Sequence, residues 1–450
     1  MSAQPQSIAQ AAAAPHQLSR RLGLGAAIAI LVGAVIGSGI FRVPSVVALN
    51  TGSLSGIAAV WIVGGAIALF GSLSIAELSA LYPGTGGIYV YLREVYGRPL
   101  AFLFGWMWLL TEPIAWAALA LVFAEYLASV VPMSLTATHA VAALIILIVG
   151  AAQYRSVALG AAIQNISTAG KLLALVALSI VIFALSSSGG AYTQPTLITH
   201  TSAAGWGVAL IAVLWAYDGW QNLTLIAGEI RRPERNMPIA LVAGTLIVIA
   251  AYLITNAAYL DALTVPQVAQ SKSVAADAMI AVVGRAGGAV IAALVMLSTF
   301  GSLNGNMMSG SRVYFAMAED RLFFSVIGKV HPRFGTPYIA IAFSTVLAAC
   351  YVMMRDFQEL TEAYVLGVWP FLALCVAGVW WLRKKRPDLK RPYKAFGYPV
   401  IPALFFIATL AVIANALVTQ TASAALSLGI TLIGIPIYFI WIYFTRRTTA

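Results

Sequence analysis

The sequence predicts an all-α integral membrane protein with about twelve transmembrane helices, and three observations carry that reading. Its 450 residues are 61% hydrophobic and only 9% charged, too little polar material to coat a water-soluble fold of this size. Apolar runs of about 20 residues, the length that crosses a ~30 Å hydrocarbon core, follow one another with short polar joints between them. The positive charge is gathered into every second joint, as the positive-inside rule requires of an even number of spans.

Taken in order, the first 19 residues are polar and alanine-rich and read as a disordered cytoplasmic tail, counted here as residues 1–23. The apolar run after Arg20 and Arg21 is too long for a signal-peptide core and reads as a first span. The spans are expected near 24–49, 56–81, 99–131, 134–153, 157–186, 205–229, 239–260, 287–318, 338–354, 361–382, 400–420 and 424–445. With the N-terminus cytoplasmic, Arg20, Arg21, Arg93, Arg98, Arg155, Arg231, Arg232, Arg235, Arg312, Arg321, Lys329, Arg333, the run Arg383 to Lys394, Arg446 and Arg447 all fall inside. Lys272, Arg285 and Arg355 fall outside. This asymmetry accounts for the net charge of +11 without nucleic acid as a partner, and puts both termini in the cytoplasm of a cell-membrane protein.

Spans one and six each contain a glycine-bearing break near mid-membrane: Gly37-Ser38-Gly39 in one, and Asp218-Gly219 within Trp215-Ala216-Tyr217-Asp218-Gly219-Trp220 in the other. Matching interruptions in two five-span halves are the sequence pointer to an inverted-repeat transporter with its site at the midplane. A helix broken inside the bilayer bares N–H groups at the start of its second half and C=O groups at the end of its first, and lipid satisfies neither. An amino acid does, its carboxylate on the N–H groups after Gly37-Ser38-Gly39 and its ammonium on the carbonyls before each break. Ser38 adds a hydroxyl donor. The bland reading of Gly33, Gly37 and Ser38 is close helix packing by small residues at four-residue spacing.

Lys171 lies ~22 Å of helix from Ser186 and ~24 Å from Arg155, beyond the ~6 Å reach of its side chain, so it must face protein or a water-filled cavity. It reads as a fixed or titratable cation beside the site, or as a structural tie between helices. Asp218 is placed to cap the second half-helix or to attract a cationic substrate, with capping favoured. Glu112 either faces the bundle or makes a structural hydrogen bond, and Arg42 is expected to snorkel toward Asn50 rather than to hold substrate. Arg231-Arg232-Pro233-Glu234-Arg235-Asn236 reads mainly as a topology signal, with an inner gating ion pair as the lesser reading. Pro83-Gly84-Thr85-Gly86-Gly87 reads as a flexible inner connector, or as an ordinary turn. Cys350 and Cys375 fall in apolar runs, no histidine has a metal-ligand partner at useful spacing, and no catalytic set stands out, so neither cofactor nor enzymatic chemistry is expected. The expected partners are a small amino acid substrate and the bilayer, with no obligate protein partner evident.

The motifs Gly37-Ser38-Gly39-Ile40-Phe41, Pro83-Gly84-Thr85-Gly86-Gly87-Ile88-Tyr89, Trp215-Ala216-Tyr217-Asp218-Gly219-Trp220 and Ser298-Thr299-Phe300-Gly301-Ser302-Leu303-Asn304 resemble the amino acid, polyamine and organocation transporter superfamily. Together they are similar to the bacterial relatives of its L-type amino acid transporters, over residues 20 to 440. The resemblance implies the leucine-transporter fold, with one five-helix repeat over 24–187, a second, inverted repeat over 205–382 and two additional helices over 400–445. It implies that Ser38 and Gly39 hold the substrate carboxylate, that carbonyls at Val35, Trp215, Ala216 and Asp218 receive the ammonium, and that Gly37 and Ser302 belong to the same site. Trp215 would close over the substrate. Lys171 would occupy the place of a sodium ion, near the first broken helix and the eighth span. The sequence departs from the animal L-type pattern at Asp218, where glycine is usual, and at Gln221, where asparagine is usual. The expected function is sodium-independent transport of neutral L-amino acids, by exchange or proton-linked uptake. The alternatives are transport of cationic amino acids or polyamines, with Asp218 or Glu112 holding the added charge, and a membrane amino acid receptor.

Overall fold

The computed structural model describes residues 20, 22–155, 157–187, 189–193, 202–323, 326–327, 329, 331, 334, 336, 338–419 and 421–448. The expected tail lies outside the described residues except at positions 20, 22 and 23, as do Arg21 and Arg333, together with the side chains of Arg312, Arg446 and Arg447. The described chain is helical: α1 (Leu24–Val35), α2 (Gly39–Thr51), α3 (Leu54–Leu81), α4 (Ile88–Tyr96), α5 (Arg98–Val130), α6 (Leu135–Arg155), α7 (Val157–Leu185), α8 (Gly190–Thr193) and α9 (Ala203–Ala216). There follow α10 (Asn222–Leu225), α11 (Pro233–Ala262), α12 (Val265–Gln270), α13 (Val274–Val283), α14 (Arg285–Glu319), α15 (Tyr338–Met354), α16 (Phe357–Lys385), α17 (Val400–Thr419) and α18 (Thr421–Thr448).

Each of the twelve apolar stretches read from the sequence contains helix at its expected place. Among the described residues, seven helices are long and apolar enough to cross a membrane, or eight if the pair α1 and α2, bent by 45° at its break, is counted as one span. Apolar but shorter stretches occupy Gly170–Leu185, Ala203–Ala216, Tyr338–Met354 and Ser427–Tyr443. The helices α4, α12 and α13 stand where the sequence reading had only joints. They are too short to show as spans.

Local chemistry sets the ends. Ser53 caps α3 by accepting from the Gly56 N–H at 3.1 Å. Asp356 and Glu359 close a reciprocal capping box at the start of α16, and Gly52, with φ of 65°, turns the chain out of α2. α5 is buried along most of its length, whereas α6 and α17 turn most of theirs outward. The outward residues are apolar, among them Leu144, Leu147 and Ile148 on α6 and Ile407 and Leu410 on α17. An apolar exterior around a polar-lined interior is the arrangement that lipid as solvent selects.

Side-chain ties sort the loops onto two faces. On one, Leu22 pairs with Glu229 and Arg231 through backbone hydrogen bonds of 3.0 and 2.8 Å. On the same side Arg93 of α4 reaches Asp320 beyond α14 at 2.6 Å, and Arg98 donates to the Asp320 carbonyl. Glu77, buried near the end of α3, accepts from Arg383 at 2.5 Å, from Arg391 at 3.2 Å and from the Ala395 N–H at 2.7 Å. At the other face, Arg42, Glu125, Met133, Lys272 and Asp356 border one cavity of about 440 Å³. The Pro83 to Gly87 connector, expected to be flexible, is docked: Gly86 N–H donates to Leu225 O at 3.1 Å, and a Cβ at Gly87, where φ is 46°, would run into Thr224.

Candidate functional site

The two breaks meet. α1 stops at Val35 and α2 starts at Gly39, while α9 stops at Ala216 and helix resumes at Asn222. Gly219 turns there with φ of +107°, and a Cβ would stand 3.0 Å from the Ala34 carbonyl oxygen. Glycine is needed both for that φ and for that approach. Gly39 faces the other way, where a Cβ would overlap Cα and Cβ of Ala216. Between the breaks lies a cleft lined by Val35, Gly37, Ser38, Gly39, Ala115, Leu119, Trp215, Asp218, Gly219, Asn222, Asn306 and Tyr364. Its water-accessible space is about 30 Å³, room for one or two waters, so an amino acid enters only if the surrounding helices part.

At the start of α2, the N–H groups of Ser38, Gly39 and Ile40 donate to no group among the described residues, and the Ser38 hydroxyl is buried without a partner. Three converging N–H donors and a hydroxyl at a helix start suit a carboxylate. The carbonyls at the end of α1 are engaged by side chains. Lys171, 1% exposed, donates from Nζ to Gly33 O and to Ser302 Oγ, both at 2.7 Å. Ser302 Oγ lies 3.4 Å from Ile36 O. The Tyr252 hydroxyl lies 2.9 Å from Val35 O and 3.0 Å from Ala216 O, so one side chain of α11 bridges both broken helices. Trp215 O accepts from the Asp218 N–H at 3.1 Å. Three of the four carbonyls assigned to an ammonium are therefore already engaged once in this closed arrangement, each with a second lone pair left.

Asp218 does not carry the capping role expected of it. Its carboxylate accepts from Gln221 Nε2 at 2.9 and 3.0 Å and from the Tyr364 hydroxyl at 3.1 Å. Gln221 Oε1 takes the Gly219 N–H at 3.1 Å, so the two side chains that depart from the L-type pattern act as a pair. Trp215 packs edge-on against Tyr364 and Phe357, at centroid distances of 5.1 and 6.5 Å. Arg42 lines the cavity on the Lys272 face and is held there: it pairs with Glu125 at 3.0 Å, donates to Ser45 and lies 5.5 Å from the Phe357 ring centroid. A carboxylate on the facing helix fixes the side chain in that position.

Glu112 is buried outside the cleft, with Oε1 accepting from Trp116 at 3.3 Å and Oε2 unpartnered. Lys171, Ser302 and Ala216 stand behind the cleft wall rather than in it. Sequence reasoning missed Tyr252, Tyr364, Asn222 and Asn306. For the two asparagines the available signal was an amide inside an apolar run, with Asn222 Nδ2 3.3 Å from Asn306 Oδ1.

The sequence profile of the family described as amino acid permease matches residues 22–443. The chain is 33% identical over 426 residues to the serine/threonine exchanger SteT of Bacillus subtilis (strain 168), an overlap of 94% of this chain and 97% of that protein. It is 31% identical over 435 residues to the human b(0,+)-type amino acid transporter 1, covering 95% and 89%. Against the human large neutral amino acids transporter small subunit 2 the identity is 31% over 445 residues, covering 96% and 82%.

Proposed function

Because the chain belongs to the amino acid permease family, and so is a multi-pass membrane transporter of amino acids rather than an enzyme, we propose that it is a sodium-independent exchanger of neutral L-amino acids. The observation that carries this reading is the set of unengaged donors at Ser38, Gly39 and Ile40, facing a cleft whose other wall is Trp215. In it the substrate carboxylate takes those N–H groups and the Ser38 hydroxyl, with Gly37 leaving room for approach. The ammonium takes free lone pairs on the cleft-lining carbonyls of Val35, Trp215 and Asp218, with the Ala216 carbonyl behind the wall. Trp215 closes over the side chain, and Ser302 and Lys171 brace the wall from behind. Two five-helix units, 24–187 and an inverted 205–382, rock about this cleft, with 400–445 outside them. The Arg93 face is cytoplasmic, with both termini, in a cell membrane.

Lys171 supports sodium independence by chemistry. Its Nζ donates to Gly33 O and Ser302 Oγ, oxygens of the kind a sodium ion takes as ligands, and a metal cation beside an ammonium there would be repelled. The reading is tested with the protein in liposomes preloaded with unlabelled serine or leucine, choline replacing sodium throughout. Labelled neutral amino acid should enter only when substrate is present on both sides. A sodium requirement removes the lysine assignment, and uptake into empty vesicles driven by a proton gradient replaces exchange by proton-linked transport.

Asp218 favours a second reading, because a carboxylate on the cleft wall could hold the extra charge of a cationic amino acid. Competition by arginine and lysine as strong as by leucine, lost in Asp218→Asn, would establish it.

A further inference from the structure

A second concavity lies away from the cleft, on the lipid-facing side of α3 and α11. It is a groove of about 880 Å³ walled by Leu69, Leu73, Pro238, Ile239, Val242 and Leu246. Its end on the Arg93 face is polar. Glu234, Arg235 and Lys394 line it there, beside Tyr393. Among the described residues neither Arg235 nor Lys394 makes an ion pair, although an acidic neighbour, Glu234, is at hand.

Lys394 is not on a loose loop. Arg391 before it and the Ala395 N–H after it both bond to the buried carboxylate of Glu77, which holds the segment against the end of α3. Arg235 is held from the other side, in the first turn of α11, where its own N–H bonds to Arg232 O at 3.1 Å. Two exposed cations on anchored backbone thus flank the polar end of an apolar trough, on the face where Arg231 and Arg232 are also exposed. Surplus positive charge at the head and hydrocarbon along the length match one ligand, a lipid with an anionic phosphate headgroup and acyl chains. A zwitterionic lipid offers the same chains without the charge match. A free anion has nothing to place in the trough.

We propose that this groove is a specific site for an anionic phospholipid, its phosphate held by Arg235 and Lys394 and one acyl chain running along α3 and α11. The full chain, purified in an uncharged detergent, is titrated with phosphatidylglycerol and with phosphatidylcholine of identical chains, and bound lipid is counted by native mass spectrometry. Two added cation contacts predict roughly thirty-fold tighter retention of phosphatidylglycerol. Arg235→Gln with Lys394→Gln should bring the two lipids within about three-fold of each other. Lys272→Gln with Arg285→Gln, on the opposite face, should leave the preference intact. Ala243→Trp, which fills the trough and keeps both charges, should weaken both lipids together. Undiminished preference in the Arg235 and Lys394 variant overturns the site. So does equal competition by glycerol phosphate without chains, which would mark a plain anion site, or undisturbed lipid binding in Ala243→Trp, which would mark diffuse surface charge.

Discussion

The hydroxyl of Tyr252 lies 2.9 Å from the carbonyl oxygen of Val35, and the same hydroxyl reaches the Ala216 carbonyl across the gap between the two broken helices. A single proton is shared between the ends of α1 and α9. Tyr252→Phe leaves both carbonyls without that partner, at ~1–3 kcal/mol for a buried acceptor. The empty closed state should lose stability while the substrate-bound state, whose ammonium can supply hydrogen bonds, loses less. Melting of the purified variant should fall without substrate and recover with saturating substrate. An equal loss in both conditions would reduce Tyr252 to packing.

Lys171 is expected to matter through its two acceptors. Lys171→Ala strands Gly33 O and Ser302 Oγ and removes charge-assisted hydrogen bonds worth ~1.5–3 kcal/mol, so exchange should fall by roughly ten- to a hundred-fold. Flux through the unmutated protein should be the same in sodium and in choline. Near-native exchange by the variant would make the lysine dispensable.

Ser38 and Gly39 should separate binding from packing. Ser38→Ala keeps the backbone donors and should weaken substrate about two- to ten-fold at unchanged melting temperature. Gly39→Ala forces a Cβ into Ala216, so it should lower the melting temperature as well as binding. If Gly39→Ala is as stable as the parent, the contact between α2 and α9 yields more readily than its geometry indicates.

Trp215→Ala should cost large neutral substrates roughly ten-fold or more in affinity and small ones less, since apolar contact is what is lost. Competition curves for leucine and alanine against one tracer measure it. Parallel shifts would place Trp215 in the support of Tyr364 rather than over the substrate.

The pair Arg42 and Glu125 joins α2 to α5 beside the cavity that contains Lys272 and Asp356. Both side chains are largely buried, so removing one partner strands the other charge at a cost of about 3 kcal/mol or more. With Cys350→Ser as background, a cysteine at Val46 in Glu125→Gln should react with a membrane-impermeant thiol reagent at least roughly ten-fold faster than in the parent. An unchanged rate would mean that the pair does not hold this face shut.

Both breaks and Lys171 were legible in the sequence because each violates a local rule: glycines and an aspartate interrupt apolar runs, and a lysine lies too deep to reach either surface. Residues that break no rule were not legible. A tyrosine such as Tyr252 is ordinary in a membrane helix, and only the approach of α11 to both breaks makes its hydroxyl a bridge. The partner of Arg42 was not legible for the same reason, since Glu125 is 83 residues away and comes within reach only through packing. The helices α4 and α13 were hidden by length. Asp218 was flagged as a departure, yet its partner Gln221 was seen only as a second departure, because their hydrogen bond depends on the turn at Gly219.

Glu77 has a consequence for how the molecule is made. Its carboxylate is settled by Arg383, which the ribosome adds 306 residues later, and by Arg391 and Ala395 later still. Through most of synthesis α3 therefore carries an acidic group whose resting place does not yet exist, and it must stay near headgroup water until about the last 70 of the 450 residues arrive. Chains that stop before residue 383 should remain loosely assembled at this corner and be open to membrane proteases, however well their earlier helices have inserted.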